Sequence, residues 1–315
     1  MNTMNILKLG LPVLLLLIFL YVLLTYFFPS RTNTFYNEDQ IFEARSIFFL
    51  ETSGASHLNI RQACAVESTS RHYPLFSITV LMTTQTLITN TFNVSNVQFK
   101  KITFEELLAE TPLSEWYRQK NWEKSEYKIN HLSDAARYAL IWKFGGMYFD
   151  LDIVMLKPLS LLTNFIVKEN ENTLANGILG MTRHHTLLYN CMKTFAKIYN
   201  PNCFNCVGPH LITNELVKFC NGHSISDVER KGDCDITLMN STTAFPLPYF
   251  QWKDYFLNSS TLDTLRKMKN SYMIHVWNQL SSKNILYTGS GSAYEITMTK
   301  NCPFVYSEAV KIGKI

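Results

Sequence analysis

Between Ile129 and Pro158 the chain reads INHLSDAARYALIWKFGGMYFDLDIVMLKP, and few folds accommodate that order of features. Ser133 is a good helix N-cap, and Ala135, Ala136, Tyr138, Ala139 and Leu140 carry a helix on from it. Asp134 and Arg137 stand three residues apart, which puts both on one face near the helix start. Gly145-Gly146 ends the helix, because glycine tolerates the left-handed cap. Met147-Tyr148-Phe149 then forms a short buried strand running directly into Asp150-Leu151-Asp152, and Ile153-Val154-Met155-Leu156 restores apolar character at once.

The same alternation runs upstream. Ser46 to Thr52 is a buried strand stopped by Ser53-Gly54, and His57 to about His72 is a helix with Ala63, Cys64 and Val66 on its inner face. Pro74 breaks that helix before strands at Phe76–Met82 and Val97–Ile102, and Phe104 to Ala109 is a short helix. Strands alternating with helices predict a parallel-type α/β sheet, which binds ligands at the carboxyl ends of its strands. Asp150 and Asp152 fall at such an end.

Carboxylates separated by one residue point to the same side of an extended chain. They offer hard oxygen ligands to Mg²⁺ or Mn²⁺, which completes its shell with phosphate oxygens and water. Such an ion neutralises a diphosphate and stabilises it as a leaving group. An isolated D-x-D recurs in surface turns, but a surface turn needs no apolar walls on both sides. A metal-diphosphate site is the better reading.

The 315 residues, 47% of them apolar, suffice for one large domain or two small ones, and the net charge of +4 is scattered. Nucleic-acid binding calls for a concentrated basic stripe, and the sequence has none. The 20 uncharged residues from Leu9 to Phe28 match a bilayer core when helical. A cleaved signal peptide has a shorter apolar run and a small-residue cleavage site, whereas this run ends Tyr26-Phe27-Phe28-Pro29. The expected organisation is a cytosolic tail (1–8), a transmembrane signal-anchor (9–28), a polar stem (29–44) and a luminal catalytic domain (45–315).

Lys8, Arg31, Glu38 and Asp39 orient the span only weakly. Sequons at Asn93, Asn240 and Asn258 and seven cysteines all suit an oxidising lumen downstream of it. Cys203-Phe204-Asn205-Cys206 has metal-like spacing without a second pair, so disulfides or buried thiols are preferred to zinc. Cys220 and Cys234 bracket a polar stretch as a plausible loop staple, and the odd count leaves one cysteine over.

The SDxxR…GGxYxDxD core resembles that of retaining GT-A glycosyltransferases. Beyond it, Phe48–Ser53, Arg61–Ser68, Gly208-Pro209, Phe245-Pro246, His275-Val276-Trp277-Asn278 and Cys302-Pro303 extend the likeness from residue 46 onward. The chain is similar to the family of lactosylceramide 4-alpha-galactosyltransferases, alpha-1,4-N-acetylglucosaminyltransferases and insect alpha-1,4-glycosyltransferases. His210, after Gly208-Pro209, departs from that pattern and bears on the acceptor.

The resemblance implies a GT-A type, Rossmann-like mixed sheet flanked by helices, preceded by the transmembrane helix, in a type II Golgi membrane protein. It implies retaining transfer from a UDP-sugar, dependent on Mn²⁺ or Mg²⁺, to a terminal sugar of a glycolipid. Galactose or N-acetylgalactosamine is favoured as donor sugar, with N-acetylglucosamine and glycoprotein acceptors left open. Asp152 is implied as the principal metal ligand, with Asp150 on metal, ribose or sugar. Asp134 and Arg137 hold the donor sugar, Tyr148 lies among the donor-binding residues, and His275 is a third metal ligand.

Plainer readings stand beside these roles: a helix-end ion pair for Asp134 and Arg137, and core packing for His275 and Trp277. His184-His185 reads as a surface pair. Tyr249, Trp252 and Tyr255 either stack on acceptor sugars or fill the core. No carboxylate stands out as a nucleophile, which favours front-face transfer in which the departing diphosphate helps deprotonate the acceptor hydroxyl. A non-catalytic binding protein with the same fold is the alternative, and it would not need two clustered carboxylates.

Overall fold

The computed structural model describes residues 45–84, 94–159 and 164–315. The anchor at 9–28, the stem and Asn93 lie outside the described residues. Among the described residues no helix is long and apolar enough to cross a membrane.

The strands are β1 (Ser46–Glu51), β2 (Ser77–Met82), β3 (Val97–Lys101), β4 (Gly146–Phe149), β5 (Ile153–Met155), β6 (Phe165–Asn170), β7 (Thr173–Met181), β8 (Thr237–Met239) and β9 (Met273–His275). The longer helices are α1 (Ile60–His72), α2 (Lys128–Phe144), α3 (Thr186–Ile198), α4 (Pro209–Phe219), α5 (Thr261–Met268), α6 (Ala293–Asn301) and α7 (Pro303–Ile312). One sheet runs β3-β2-β1-β4-β7-β6-β8, and β5 pairs with β9 in a separate ribbon. The first four strands of that order are mutually parallel, as the alternating sequence predicts.

Beyond β4 the parallel order read from the alternation gives way to the mixed sheet, flanked by helices, that the resemblance implies. β7 is antiparallel to both β4 and β6, and β8 is parallel to β6. The cause is local: Glu171 and Asn172 close a tight turn between β6 and β7, where the Asn172 N–H donates to Asn170 Oδ1 at 2.9 Å. Two strands joined by so short a turn can only be antiparallel.

The core follows the period-two alternation of the strands. Ile47 and Phe49 of β1 and Met147 and Phe149 of β4 face one layer, with Val80, Phe165, Ile178 and Phe245. Leu50 and Tyr148 face the other, against α2, α3 and α4 through Leu140, Leu187 and Ile212. Each such side chain, fully buried, contributes about 1.5–3 kcal/mol of transfer free energy. A third cluster joins Cys64 of α1 to Ile274, Tyr294, Met298 and Cys302 of the C-terminal segment.

Helix α2 begins at Lys128, not at Ser133. Tyr127 is its N-cap and makes no side-chain capping bond. Packing decides the matter: His131 is fully buried, with ring nitrogens 2.9 Å from Tyr199 Oη and 3.0 Å from Cys203 O. Asp134 and Arg137 therefore lie inside the helix rather than at its start. Gly145 terminates α2 with φ 66°.

Three disulfides, Cys64–Cys302, Cys203–Cys206 and Cys220–Cys234, close the structure, and Cys191 is a buried free thiol. The loop staple stands as expected, and Cys203 and Cys206 bind each other rather than zinc.

Candidate active site

The site lies where β4 gives out. Asp150-Leu151-Asp152 is a turn rather than an extended segment, and the Ile153 N–H donates to Asp150 O at 3.3 Å. The turn sends the chain into β5, whose antiparallel partner is β9, with Ile153 opposite His275. That pairing brings His275 beside Asp152. One ligand atom from each of Asp150, Asp152 and His275 can be chosen so that all lie within 4.8 Å of one another. Two carboxylates and an imidazole at that spacing fit a divalent cation that accepts oxygen and nitrogen.

The aspartates have different keepers. Asp150 faces the guanidinium of Arg137, with Nη1 3.2 Å from Oδ2 and Nη2 3.2 Å from Oδ1. The Tyr148 hydroxyl donates to Asp150 Oδ1 at 2.6 Å, and the Arg137 guanidinium lies 5.0 Å from the Tyr148 ring centroid. Gly177 of β7 makes room for this carboxylate, since a Cβ there would sit 2.1 Å from Asp150 Oδ2. Asp152 instead meets His275 Nε2 at 3.1 Å and accepts the Asn278 N–H at 2.7 Å. The Trp277 N–H donates to His275 Nδ1 at 3.2 Å, which places the proton of the neutral ring on Nε2, toward Asp152. Trp277 adopts φ 55°, a costly left-handed conformation for a bulky residue, in making that contact.

Asp134 is buried behind this group. It accepts from Asn176 Nδ2 at 2.7 Å and lies 3.6 Å from Arg137 Nη2. Gly208 closes over it, where a Cβ would come within 2.8 Å of Asp134 Oδ2. Ser133, freed from capping, accepts from Arg137 Nη2 at 2.8 Å through its hydroxyl.

Charge follows burial and partners. Burial works to raise Asp152, but His275 and the hydrogen bonds from His275 and Asn278 outweigh it and hold the group below the ordinary carboxylate value. For His275 burial works downward, while Asp152, with Asp150 and Glu169 farther off, carries it above the usual histidine value. Asp134 goes the other way: burial raises it in spite of Arg137 and Asn176. Burial also pushes the Tyr148 hydroxyl well up, so it is a donor at neutral pH.

The structure thus brings Asp134, Arg137, Tyr148, Asp150, Asp152 and His275 together. It does not bring the aromatic trio together as a surface. Tyr255 is fully buried, and Trp252 packs on Phe256. Only Tyr249, 56% exposed and 6.3 Å from the Trp277 ring, remains free to meet a sugar. The His184-His185 surface pair is half corrected: His184 is exposed, but His185 is buried, caps α3 and lies 3.2 Å from Asp235. Asn240 and Asn258 are both exposed. Sequence reasoning missed Glu169, Asn176 and Gly177, and it gave Gly208 only as part of the resemblance, without its contact with Asp134. A single glycine inside a strand signals close backbone approach, and Gly177 carried that signal.

The glycosyltransferase sugar-binding region containing the DXD motif matches residues 60–173, and the alpha 1,4-glycosyltransferase conserved region matches residues 180–309. The lactosylceramide 4-alpha-galactosyltransferase of Rattus norvegicus is 32% identical over 82% of this chain and 74% of its own length. The alpha-1,4-N-acetylglucosaminyltransferase of Homo sapiens is 29% identical over 85% of this chain and 81% of its own. Among solved structures, the PaToxG glycosyltransferase covers 62% of this chain and 78% of its own with 15% identity and a TM-score of 0.48. By its likeness to the lactosylceramide 4-alpha-galactosyltransferase over most of both chains, the chain belongs to the alpha-1,4-glycosyltransferase family and is a glycosyltransferase.

Proposed function

We propose that this protein transfers a hexose or N-acetylhexosamine from a UDP-sugar to a terminal sugar of a glycolipid, with retention of configuration. The observation that carries this is the convergence of Asp150, Asp152 and His275 beside the buried Asp134–Arg137 pair. Galactose and N-acetylgalactosamine are the preferred donor sugars, and the name of the lactosylceramide 4-alpha-galactosyltransferase supports a terminal glycolipid sugar as acceptor. Leu9–Phe28, the sequons and the three disulfides support a single-pass Golgi enzyme with residues 45–315 in the lumen.

Asp150, Asp152 and His275 would hold Mn²⁺ or Mg²⁺, which when bound neutralises the diphosphate and stabilises it as a leaving group. The residues themselves position the reactants. Arg137, desolvated and fixed by two aspartates and Ser133, presents a rigid positive charge beside the donor. Asp134 offers an acceptor atom to a sugar hydroxyl from a site that excludes water. Asp150 and Asp152 are each tied to a cationic or imidazole partner, so neither is a free nucleophile. Front-face transfer, with the departing diphosphate assisting the acceptor proton, fits that arrangement, and a trapped covalent glycosyl-enzyme would refute it.

The test uses the full chain in detergent with Mn²⁺ and UDP-galactose, UDP-N-acetylgalactosamine or UDP-N-acetylglucosamine in turn. Lactosylceramide and an N-acetylgalactosamine-terminated glycolipid serve as acceptors, with Asp152→Asn and a chelator as controls. Transfer abolished by both controls supports the proposal and identifies the donor. A protein that binds neither UDP nor metal is a non-catalytic member of its family.

A further inference from the structure

Glu169 takes no part in the roles above, yet its position asks for one. β4 and β6 are both antiparallel to β7, so they run in the same direction and end at the same edge of the sheet. Asp150 follows the last residue of β4, and Glu169 is the penultimate residue of β6, two strand spacings or about 10 Å away laterally. The neighbouring Lys168 points to the far face, where it is buried and pairs with Glu229 at 2.8 Å. The pairing of β6 with β7 is irregular on both sides of Lys168, so alternation alone does not orient Glu169; His275 and His210 lie near enough for their charges to act on it, which puts its carboxyl on the side where the Phe245 and His275 rings lie 5.2 Å apart.

Glu169 is half-buried, and among the described residues it has neither a hydrogen-bond donor nor an ion-pair partner. That is unusual for a carboxylate drawn out of water. Burial raises it above the ordinary glutamate value, while His275 and His210, near enough for their charges to act on it, work downward. A group held this way is set to receive something.

What it receives is limited by its chemistry. An ionised glutamate only accepts hydrogen bonds and repels a diphosphate, so its ligand is a neutral group rich in donors. The carboxyl ends of the parallel strands β3, β2, β1 and β4 are the expected seat of a nucleotide. β6 belongs to the antiparallel half, away from that seat. We propose that Glu169 binds the acceptor: its carboxylate accepts hydrogen bonds from hydroxyls of the incoming acceptor sugar, at the β6 side of the Asp150–Asp152–His275 group. This rests on the transfer reaction proposed above.

The experiment compares the full-length wild type with Glu169→Gln and Glu169→Ala. It measures acceptor KM, donor KM, acceptor-independent hydrolysis of the UDP-sugar, and Tm. Both variants should raise acceptor KM by about tenfold or more, as expected for loss of hydrogen bonds to a charged group. Donor KM and donor hydrolysis should be unchanged, and Tm should not fall, since no internal partner is lost. An unchanged acceptor KM overturns the proposal, and so does a parallel loss of donor hydrolysis, which would place Glu169 on the donor. A lowered Tm would show a structural role instead. Wild-type protein that transfers to no acceptor removes the underlying reading, and this one with it, whereas wild-type transfer with a normal Glu169→Gln variant refutes only the role of Glu169.

Discussion

Arg137→Met tests whether one guanidinium holds the donor side of the site together. The substitution keeps most of the side-chain volume and removes the charge together with its hydrogen bonds to Asp150 and Ser133. Arg137 is 8% exposed and lies between Asp134, 11% exposed, and Asp150, 23% exposed. Removing one partner of a buried charge pair costs about 3–5 kcal/mol, because the other charge stays behind unpaired. Asp150 keeps some contact with water and Asp134 can take up a proton, so the lower end, ~3 kcal/mol, applies. At roughly 2–4 °C per kcal/mol for a domain of this size, Tm should fall by roughly 6–12 °C.

The assay is thermal unfolding in chelator, with a double variant as the control. Arg137→Met with Asp150→Asn removes an opposing charge as well and should recover much of the lost Tm. It should recover none of the transfer activity, because the proposed function puts Arg137 on the donor and Asp150 on the metal, and the double variant removes both groups. A single variant within about 2 °C of wild type would refute the reasoning, since it would mean that the carboxylates are solvated well enough to need no partner. A double variant no more stable than the single one would refute it too, because the damage would then be lost packing against Tyr148.

Two further outcomes follow from named contacts. Gly177→Ala would place a Cβ 2.1 Å from Asp150 Oδ2, and Arg137 and Tyr148 leave that carboxylate little room to retreat. Transfer should drop by roughly 10- to 100-fold while the fold persists, checked by kcat/KM beside a circular dichroism spectrum, and unimpaired turnover would count against the placement of Asp150. Asp227 is held down to about 2 by the His223 N–H, Arg230 and Lys231. Its contribution is present above the unfolded value of about 4 and is lost as pH falls toward 2, so the Tm gap between wild type and Asp227→Asn should be open at neutral pH and close below about pH 4. A gap that does not change with pH would mean that packing, not charge, sets it.

How much of this was legible depends on the distance over which the information acts. The strands β1 to β4, their parallel order and the helix-stopping Gly145 are all written locally, in alternation and glycine placement. The start of α2 was misread because Ser133 is a good cap in isolation, and the burial of His131 against Tyr199 and Cys203 overrode it. The β6–β7 hairpin broke the alternation of strand and helix, and with it the expected parallel order. His275 could be nominated from its motif, but its place beside Asp152 depends on a β5–β9 pairing between segments more than a hundred residues apart. No local pattern encodes that. Glu169 was invisible for a related reason: in sequence it is one more polar residue at a strand end, and only the fold brings it near His275 and His210.

The two aspartates of the motif share one turn but are held by different parts of the molecule. Asp150 is fixed by Arg137 and Tyr148, on α2 and β4, whereas Asp152 is fixed by His275 and Asn278, from the C-terminal segment. Their spacing is therefore set by how that segment docks. The docking is strong away from the site: Cys302 is bonded to Cys64, and Glu67 of α1 accepts the N–H groups of Phe304 and Val305 at 3.1 and 2.7 Å, capping α7. Those contacts satisfy two orphan donors at a helix start and close a loop of 238 residues, which constrains the unfolded chain far more than a local bridge would. Sequence separation makes His275 hard to foresee, and the same separation explains why the fold invests a disulfide and a buried carboxylate in holding its segment against α1. A group of two carboxylates and an imidazole drawn from distant segments is only as well defined as the joint between them, and in this chain the β5–β9 pairing at the site is backed by the contacts of α1 with α7 away from it.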